Sequence, residues 1–212
     1  MKQETKNIFE KLLLEYPSLK VCEEGVINTY NILLACFKNG GKVLVCGNGG
    51  SAADCEHIVG ELMKGFNKKR ELTSEQKALF KTVEHGDFIA ERLQGALPAI
   101  SLVSQTGLIT AFCNDVAPEL VFAQQVLGYL NENDVLIALS TSGNSKNVVF
   151  AAETAIALGG KVVSVTGMQG GALKAVSSET IMLPCEETYK IQELTLPVYH
   201  ALCAMLEAEI FV

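Results

Sequence analysis

Five short runs of apolar residues, each followed by a turn and a helical pattern, constrain the fold of this chain more than any other feature. The runs are KVLVCG, PAISLV, DVLIALS, KVVSVTG and ETIMLP. Parallel strands that are buried on both faces read as continuous apolar runs, and they alternate with helices along the chain. We therefore predict an α/β fold, with a five-stranded parallel sheet flanked by helices on both faces in a three-layer sandwich.

Helical patterns precede and follow the predicted sheet. Apolar residues recur at three- to four-residue spacing over residues 2–15 and 18–38, which predicts an N-terminal helical hairpin within residues 2–38. The pattern over residues 189–210 predicts a long closing helix that contains Pro197. A proline either kinks a helix or belongs to its first turn, so we place the start of this helix between residues 187 and 196. Residues 67–96 are dense in Lys and Glu, and we interpret them as a surface insertion in a single domain of residues 1–212.

The composition limits the partners and the compartment of the protein. The chain has 212 residues, of which 49% are hydrophobic, enough for one core. Its net charge is −7 and it has no cluster of Lys or Arg, which argues against nucleic-acid binding. The seven scattered cysteines form no CxxC pair and indicate reduced thiols in a cytoplasmic protein. The N-terminal segment mixes charged and apolar residues, so we expect neither a signal peptide nor a membrane span.

A glycine-rich turn follows the first predicted strand, in the segment VCGNGGSAADCEH. Glycines let the backbone approach a ligand closely, and the free N–H groups at the start of the following helix favour an anion. Ser51, at the entrance of that helix, adds a hydroxyl donor. The alternative is that the glycines only form a tight turn and that Ser51 is an ordinary N-cap.

A second polar turn follows the third predicted strand and again leads into a helix. Ser140, Thr141, Ser142 and Ser145 surround a single glycine there. Such hydroxyls can donate several hydrogen bonds to one phosphate, whereas a Ser/Thr-rich capping turn is the alternative. The carboxyl ends of parallel strands lie at the sheet edge where α/β proteins bind ligands, so two such loops favour a phosphate site.

Two pairs of polar residues are candidates for chemistry. His57 and Glu61 are four residues apart on a predicted helix, so they share one face; they suit a metal or acid–base catalysis, and an exposed i, i+4 pair is the alternative. Gln192 and His200 are eight residues apart, about 12 Å of axial rise on one helix. If both bind one ion, we expect one of them to come from a neighbouring subunit, or a helix break near Pro197. By themselves they are typical of a surface glutamine and a core histidine.

The order of these motifs resembles that of one known family. GNGGSAAD followed by HxxxEL, then CND, STSGNS, VTGMQGG and IQE with a His eight residues after the Gln, is similar to the phosphoheptose isomerase branch of the sugar isomerase (SIS) family. The resemblance covers roughly residues 6–66 and 97–209. It implies the SIS fold, a flavodoxin-like three-layer sandwich. It also implies a cytoplasmic aldose–ketose isomerase that converts sedoheptulose 7-phosphate into D-glycero-D-manno-heptose 7-phosphate through an enediol.

The same resemblance implies a set of site residues and an assembly. One zinc ion per site would be held by His57, Glu61, Gln192 and His200, with Glu61 as the base and His200 as its acid–base partner. Because a metal lowers the basicity of Glu61, its roles as ligand and base compete. The residues implied to bind the substrate are Asn48, Gly49, Gly50, Ser51, Asp115, Ser140, Thr141, Ser142, Ser145 and Gln192. Related proteins assemble as homotetramers with sites at subunit interfaces, and we expect the same here.

The chain departs from the family pattern at two positions, and other functions stay open. Lys64 stands where an Arg often follows HxxxEL, and Tyr189 where an Asp often precedes the Gln. Lys lacks the bidentate fork of Arg, so the exact sugar stays open. Asp115, beside Asn114, is alternatively a turn carboxylate. The alternatives to an enzyme are a noncatalytic SIS module that binds a sugar phosphate and a protein-binding module like the SIS protein that associates with the bacterial replication initiator. Retention of all four candidate ligands favours the enzyme.

Overall fold

The protein is built on five parallel strands, as its computed structural model shows for residues 1–211. The strands are β1 (Val43–Cys46), β2 (Ala99–Ser101), β3 (Val135–Leu139), β4 (Lys161–Thr166) and β5 (Glu179–Met182). Their spatial order is β2-β1-β3-β4-β5, and every pair of neighbours is parallel. The predicted α/β class and five-stranded parallel sheet are confirmed.

Helices flank both faces of this sheet. The α-helices are α1 (Gln3–Glu15), α2 (Glu23–Lys38), α3 (Gly50–Met63), α4 (Ser74–Leu79), α5 (Gly86–Arg92), α6 (Thr106–Asp115), α7 (Val121–Tyr129), α8 (Lys146–Ala157), α9 (Leu173–Val176) and α10 (Thr188–Ile210). No helix within residues 1–211 is long and apolar enough to cross a membrane, and the seven cysteines are free thiols.

The first strand shows how one sheet supports two cores. Val43 and Val45 face the core formed with α1, α2, α3 and α10. Leu44 and Cys46 face the core formed with α7 and α8. Successive side chains of a strand point to opposite faces, so a strand between two helical layers has no solvent-facing positions. This burial explains why the strands read as continuous apolar runs in the sequence.

The terminal helices differ from the prediction mainly at one boundary. The second helix was predicted from residue 18, but α2 begins at Glu23 because a 3₁₀ helix, Pro17–Cys22, occupies the connection. Proline has no N–H and a fixed φ, so it fits the first turn of that short helix. The closing helix α10 begins at Thr188, inside the predicted interval, and runs through Pro197 to Ile210 without a break.

Residues 67–96 leave the sheet after α3 and return before β2. Thr73 caps α4, because its side chain and that of Gln76 form a reciprocal capping box. An isolated antiparallel bridge between Glu71 and Gln94 joins the two ends of this segment. Arg70, near its start, is only 1% exposed. Part of the segment predicted to lie on the surface is therefore core.

A carboxylate near the end of α10 holds the N-terminal helix. Glu209 accepts hydrogen bonds from the backbone N–H of Lys2 at 2.8 Å and from the hydroxyl of Thr5 at 2.9 Å. The hydrogen bond from Lys2, assisted by that from Thr5, lowers the pKa of Glu209 to about 2, although burial acts in the opposite direction. The ionised carboxylate therefore contributes to the packing of α1 on α10.

We predict that Glu209→Gln lowers the free energy of unfolding at pH 7 by about 1–2 kcal/mol, because hydrogen bonds to a charged group are lost. A folded-state pKa below the unfolded value gives stability that is present above the unfolded pKa and lost as pH falls through the folded one. Urea denaturation should thus show a difference between the variant and the wild type at pH 7 that shrinks between about pH 4.5 and pH 2. Glu10→Gln, at an exposed carboxylate of α1, is the control. A difference that persists at pH 2 would contradict this linkage.

Candidate active site

The glycine-rich turn after β1 leads directly into α3. Gly49 is the N-cap residue of α3, and its φ of +57° is one that residues with a side chain rarely adopt. The N–H groups in the first turn of a helix have no intrahelical acceptor, and the helix dipole adds positive potential there. Ser51 is buried inside this first turn, so it is not the N-cap. The turn has the physical properties of an anion site.

The polar turn after β3 gathers hydroxyl groups at the start of α8. The hydroxyls of Ser140 and Ser145 lie 3.0 Å apart, and Ser142 Oγ accepts the backbone N–H of Asn144 at 3.1 Å. Gly143 has a φ of +66°, and a Cβ there would lie 2.0 Å from the carbonyl oxygen of Gly170 in the loop after β4. Only glycine allows the two loops to pack this closely.

A pair of asparagines joins the loop that follows β1 to the first turn of α8, the helix that follows the polar turn after β3. Asn48 Nδ2 donates to Asn147 Oδ1 at 2.9 Å, and Asn147 Nδ2 donates to Asn48 Oδ1 at 2.9 Å. The two strands are neighbours in the sheet. The backbone donors of the first loop and the hydroxyls of the second therefore lie side by side at the carboxyl ends of the strands.

Gln192 reaches the first of these loops from α10. A Cβ on Gly50 would lie 2.6 Å from Gln192 Nε2, so the amide packs against the glycine backbone. His200 is two turns further along the unbroken α10, beside His57. Gln192 and His200 of one chain are thus about 12 Å apart along the helix axis, and the structure does not bring them together.

His57, Glu61 and His200 form a cluster between α3 and α10. His57 Nε2 lies 3.4 Å from His200 Nε2 and 3.4 Å from Glu61 Oε1. Lys64 Nζ lies 3.5 Å from Glu61 Oε2. Burial lowers the pKa of His200, His57 lowers it further, and Glu61 opposes both. The imidazole of His200 is therefore kept neutral, which suits a proton acceptor or a metal ligand.

The sequence analysis did not single out Tyr199, which contacts His57, or Asp54, which contacts Tyr199. The Tyr199 hydroxyl lies 2.8 Å from His57 Nδ1 and 3.3 Å from Asp54 Oδ1. Because a carboxylate only accepts, Tyr199 donates to Asp54 and its oxygen accepts from His57 Nδ1–H. This hydrogen bond leaves the lone pair of His57 Nε2 directed at the cluster. The only sequence signal was that Asp54 precedes His57 by one helical turn and Tyr199 precedes His200.

The donor atoms of the cluster fit a zinc ion in part. Imidazole and carboxylate are zinc ligands, and donors about 2.1 Å from a tetrahedral ion lie about 3.4 Å from one another. His57 Nε2 has this separation from both His200 Nε2 and Glu61 Oε1. Over residues 1–211, however, no three His, Cys, Asp or Glu side chains are already arranged to hold a metal. Three of the four predicted ligands are thus neighbours, and the fourth, Gln192, is not.

The remaining candidates lie at the margins of this site. Asp115 ends α6, is exposed and accepts from Asn114 Nδ2 at 2.8 Å; within the described chain it makes no hydrogen bond to another candidate residue. Thr141 is half-buried, and its carbonyl accepts the N–H of Gly167 at 2.9 Å. Tyr189 is exposed in the first turn of α10.

Comparison with protein families gives the class to which this fold and site belong. SIS domain models match residues 84–207 and 19–105, and the chain is a SIS-domain protein. A phosphoheptose isomerase from a Nitratiruptor species is 38% identical over 203 residues, which cover 93% of this chain and 96% of that protein. One from Helicobacter pylori is 37% identical over 190 residues, covering 90% and 86%.

Solved structures agree with these relatives. The phosphoheptose isomerase of Francisella tularensis has a TM-score of 0.76 and 29% identity, covering 96% of both chains. That of Neisseria gonorrhoeae has a TM-score of 0.71 and 29% identity, covering 96% of this chain and 91% of that one. The chain belongs to the phosphoheptose isomerase family, a family of isomerases, as the motif order predicted.

We predict that in Tyr199→Phe the imidazole proton of His57 is no longer held on Nδ1. The wild type should show His57 with the proton on Nδ1, whereas the variant should show a mixture, because Nδ1 has lost its oxygen partner. Nitrogen-15 NMR of the three histidines reports this directly. The exposed His85 serves as an internal control and should not change. An unchanged His57 spectrum would contradict the assigned hydrogen bond.

Proposed function

We propose that the protein is a phosphoheptose isomerase that converts sedoheptulose 7-phosphate into D-glycero-D-manno-heptose 7-phosphate. The spacing within the site carries this proposal. His57 lies seven residues beyond Gly50 on α3, so the acid–base cluster begins about 10 Å from the anion-binding turn. This separation suits an extended sugar whose phosphate and carbonyl are at opposite ends of the carbon chain. The relatives named above do not favour a noncatalytic module.

The loops and the first turn of α3 bind the substrate in this proposal. The phosphate accepts hydrogen bonds from backbone N–H groups and from serine hydroxyls, in a site that needs no cation. The phosphate-binding residues are Ser51, Ser140, Ser142 and Ser145, and the sugar-binding residues are Asn48, Gly49, Gly50, Asp115, Thr141 and Gln192. The amide of Gln192 lies against Gly50, where it can donate to a hydroxyl next to the phosphate.

The proton transfers are assigned to Glu61 and His200. Glu61 removes a proton from C1 of the ketose and returns it to C2, so that an enediol forms and collapses to the aldose. His200, held neutral by burial, moves the accompanying proton between the oxygens at C2 and C1. Lys64 Nζ lies 3.5 Å from Glu61 Oε2, which places a positive charge beside the proposed base.

We propose one zinc ion per site, held by His57, Glu61 and His200. An atom bound to the ion cannot also carry a proton, so the ligand and proton-transfer roles of Glu61 and His200 compete. When bound, the ion would polarise the carbonyl and stabilise the negative charge of the enediolate. Because α10 is unbroken, Gln192 of the same chain is assigned to the substrate rather than to this ion. The Tyr199 contact supports the ligand role, since a hydrogen-bonded Nδ1 orients Nε2 toward a metal.

We further propose a cytoplasmic homotetramer with sites at subunit interfaces. The side chain of His57 is 44% exposed, so a neighbouring subunit can complete the site. Helix α6 has no buried residue and presents exposed Leu108, and Val116 just beyond it is 65% exposed. Apolar groups of this kind favour a partner surface. The free thiols suit a reducing compartment.

We predict that Glu61→Gln strongly lowers the rate of catalysis. The protein is incubated with sedoheptulose 7-phosphate in heavy water, and NMR follows deuterium incorporation and aldose formation. Both should fall by about 10²–10⁴-fold in the variant, because the base that carries the proton is absent. Glu56→Gln, which changes an exposed carboxylate of the same helix, should retain activity. Wild-type exchange that survives in Glu61→Gln would refute the assignment of the base.

We predict that His57→Ala removes bound zinc. Elemental analysis of the purified protein should give one zinc per chain for the wild type and much less for the variant, because a catalytic zinc site rests on only three protein ligands. His85→Ala is the matched control and should keep its metal, since His85 is exposed in the segment 67–96. Equal zinc in both variants would place the metal elsewhere.

A further inference from the structure

A buried ion pair joins the two helices that carry the acid–base cluster. Arg70 and Glu207 are each 1% exposed, and Arg70 Nε donates to Glu207 Oε1 at 2.8 Å. Glu207 is on α10, two helical turns beyond His200. Arg70 comes seven residues after the end of α3, in the segment read as an insertion.

The other two nitrogens of this guanidinium bind the last turn of α3. Arg70 Nη1 donates to the carbonyl of Leu62 at 2.6 Å, and Nη2 donates to the carbonyl of Glu61 at 2.9 Å. The last carbonyls of a helix have no intrahelical donor, and a cation is favourable at this end of the dipole. Arg70 thus closes the C-terminal end of α3 at the residue that carries the proposed base.

The carboxylate of Glu207 is equally well satisfied. It accepts the backbone N–H groups of Phe66 and Asn67 at 2.8 Å each, and that of Lys68 at 3.1 Å. Burial raises the pKa of Glu207, but the hydrogen bonds from Phe66, Asn67 and Arg70 outweigh it and hold this pKa below its usual value. The chain that leaves α3 is therefore bound to α10 by a carboxylate that accepts hydrogen bonds from four donors.

We propose that Arg70 is a positioning residue of the isomerase, which holds the Glu61 carboxylate in the cluster with His57 and His200 by linking the end of α3 to α10. The inference rests on the proposed function. A buried ion pair by itself is weak grounds for a role in stability, because desolvation offsets the attraction. Here the fork of Arg70 binds the backbone carbonyl of Glu61, and Glu207 shares a helix with His200.

The same contacts divide the segment 67–96 into two parts. Residues 67–70, which Glu207 binds to α10, are called the clamp here. Beyond them, the bridge between Glu71 and Gln94 brings the ends of residues 72–93 together. A short Gly-Ser turn can therefore replace 72–93 while Arg70 stays in place. The clamp and the outer helices α4 and α5 can be tested separately.

The test compares three substitutions by steady-state kinetics and melting temperature in the full-length chain. Arg70→Met removes the charge and the fork, whereas Arg70→Lys keeps a charge but has no planar fork for the carbonyls of α3. Lys42→Met is the matched control. It breaks the ion pair between Lys42 and the buried Asp134, which lies at the amino ends of β1 and β3, away from the proposed site.

We expect kcat to fall about 100-fold in Arg70→Met with KM changed by less than about threefold, since a shift of about 1 Å in a reacting group has such an effect. Arg70→Lys should recover thermal stability but keep a kcat at least about tenfold below the wild type, and it carries the test if Arg70→Met does not fold. Lys42→Met should lose stability and retain kcat. Replacement of 72–93 should leave kcat unchanged.

Two outcomes would overturn the inference. One is a kcat in Arg70→Lys equal to that of the wild type, which would mean a purely structural role. The other is a loss of kcat in Lys42→Met as large as that in the Arg70 variants at the same loss of stability. Amide hydrogen exchange over residues 60–63 tests the role of Arg70 without an activity assay. It therefore distinguishes a failure of this inference from a failure of the proposed isomerase function. Exchange that is faster in Arg70→Lys but unchanged in Lys42→Met shows the clamp even if the wild type isomerises a different substrate.

Discussion

The packing of α10 beside α3 is the contact on which the rest of the site depends. Both helices cover the same face of the sheet and run in the same direction, so residues in corresponding turns meet in pairs. Gln192 meets Gly50 near the start of α3, and Tyr199 and His200 meet His57 two turns later. Because the apolar side chains of α10 pack into one of the two cores, this register is fixed by burial. The polar groups are aligned by the same packing.

The two halves of the site differ in the kind of group that they present. At the start of α3 the donors are backbone groups, held by glycines that accept positive φ and by loops packed without side chains between them. Toward the end of α3 the groups are ionisable and partly buried, and their states are set by neighbours. Tyr199 stays protonated because burial, and then the charge of Asp54, raises its pKa. The proposed anion site and the proposed proton-transfer site therefore lie on one helix, α3.

Much of the fold and part of the site were predictable from sequence. The apolar runs predicted every strand, because burial on both faces leaves no other pattern. The glycine-rich and serine-rich loops were predicted to lie together, since parallel strands end at one edge. The Asn48–Asn147 pair joins the first loop to the start of the helix that follows the second. The start of α2 was placed too early, because Pro17 begins a 3₁₀ helix that has the same local preferences as an α-helix. Arg70 was assigned to the surface, because its charge gave no indication of a buried partner 137 residues away.

The sequence by itself determined the parallel sheet, the two loops proposed to bind the phosphate, the HxxxE pair and, through the order of its motifs, the family. These features depend on local spacing and on the two-residue and 3.6-residue periods of strands and helices. Only the tertiary structure decided that His200 joins His57 and Glu61 while Gln192 stays with Gly50, and that Asp54, Tyr199, Arg70 and Glu207 support the cluster. Those relations depend on how α3 and α10 are aligned. That alignment is set by the packing of whole helices on the sheet, which no local pattern records.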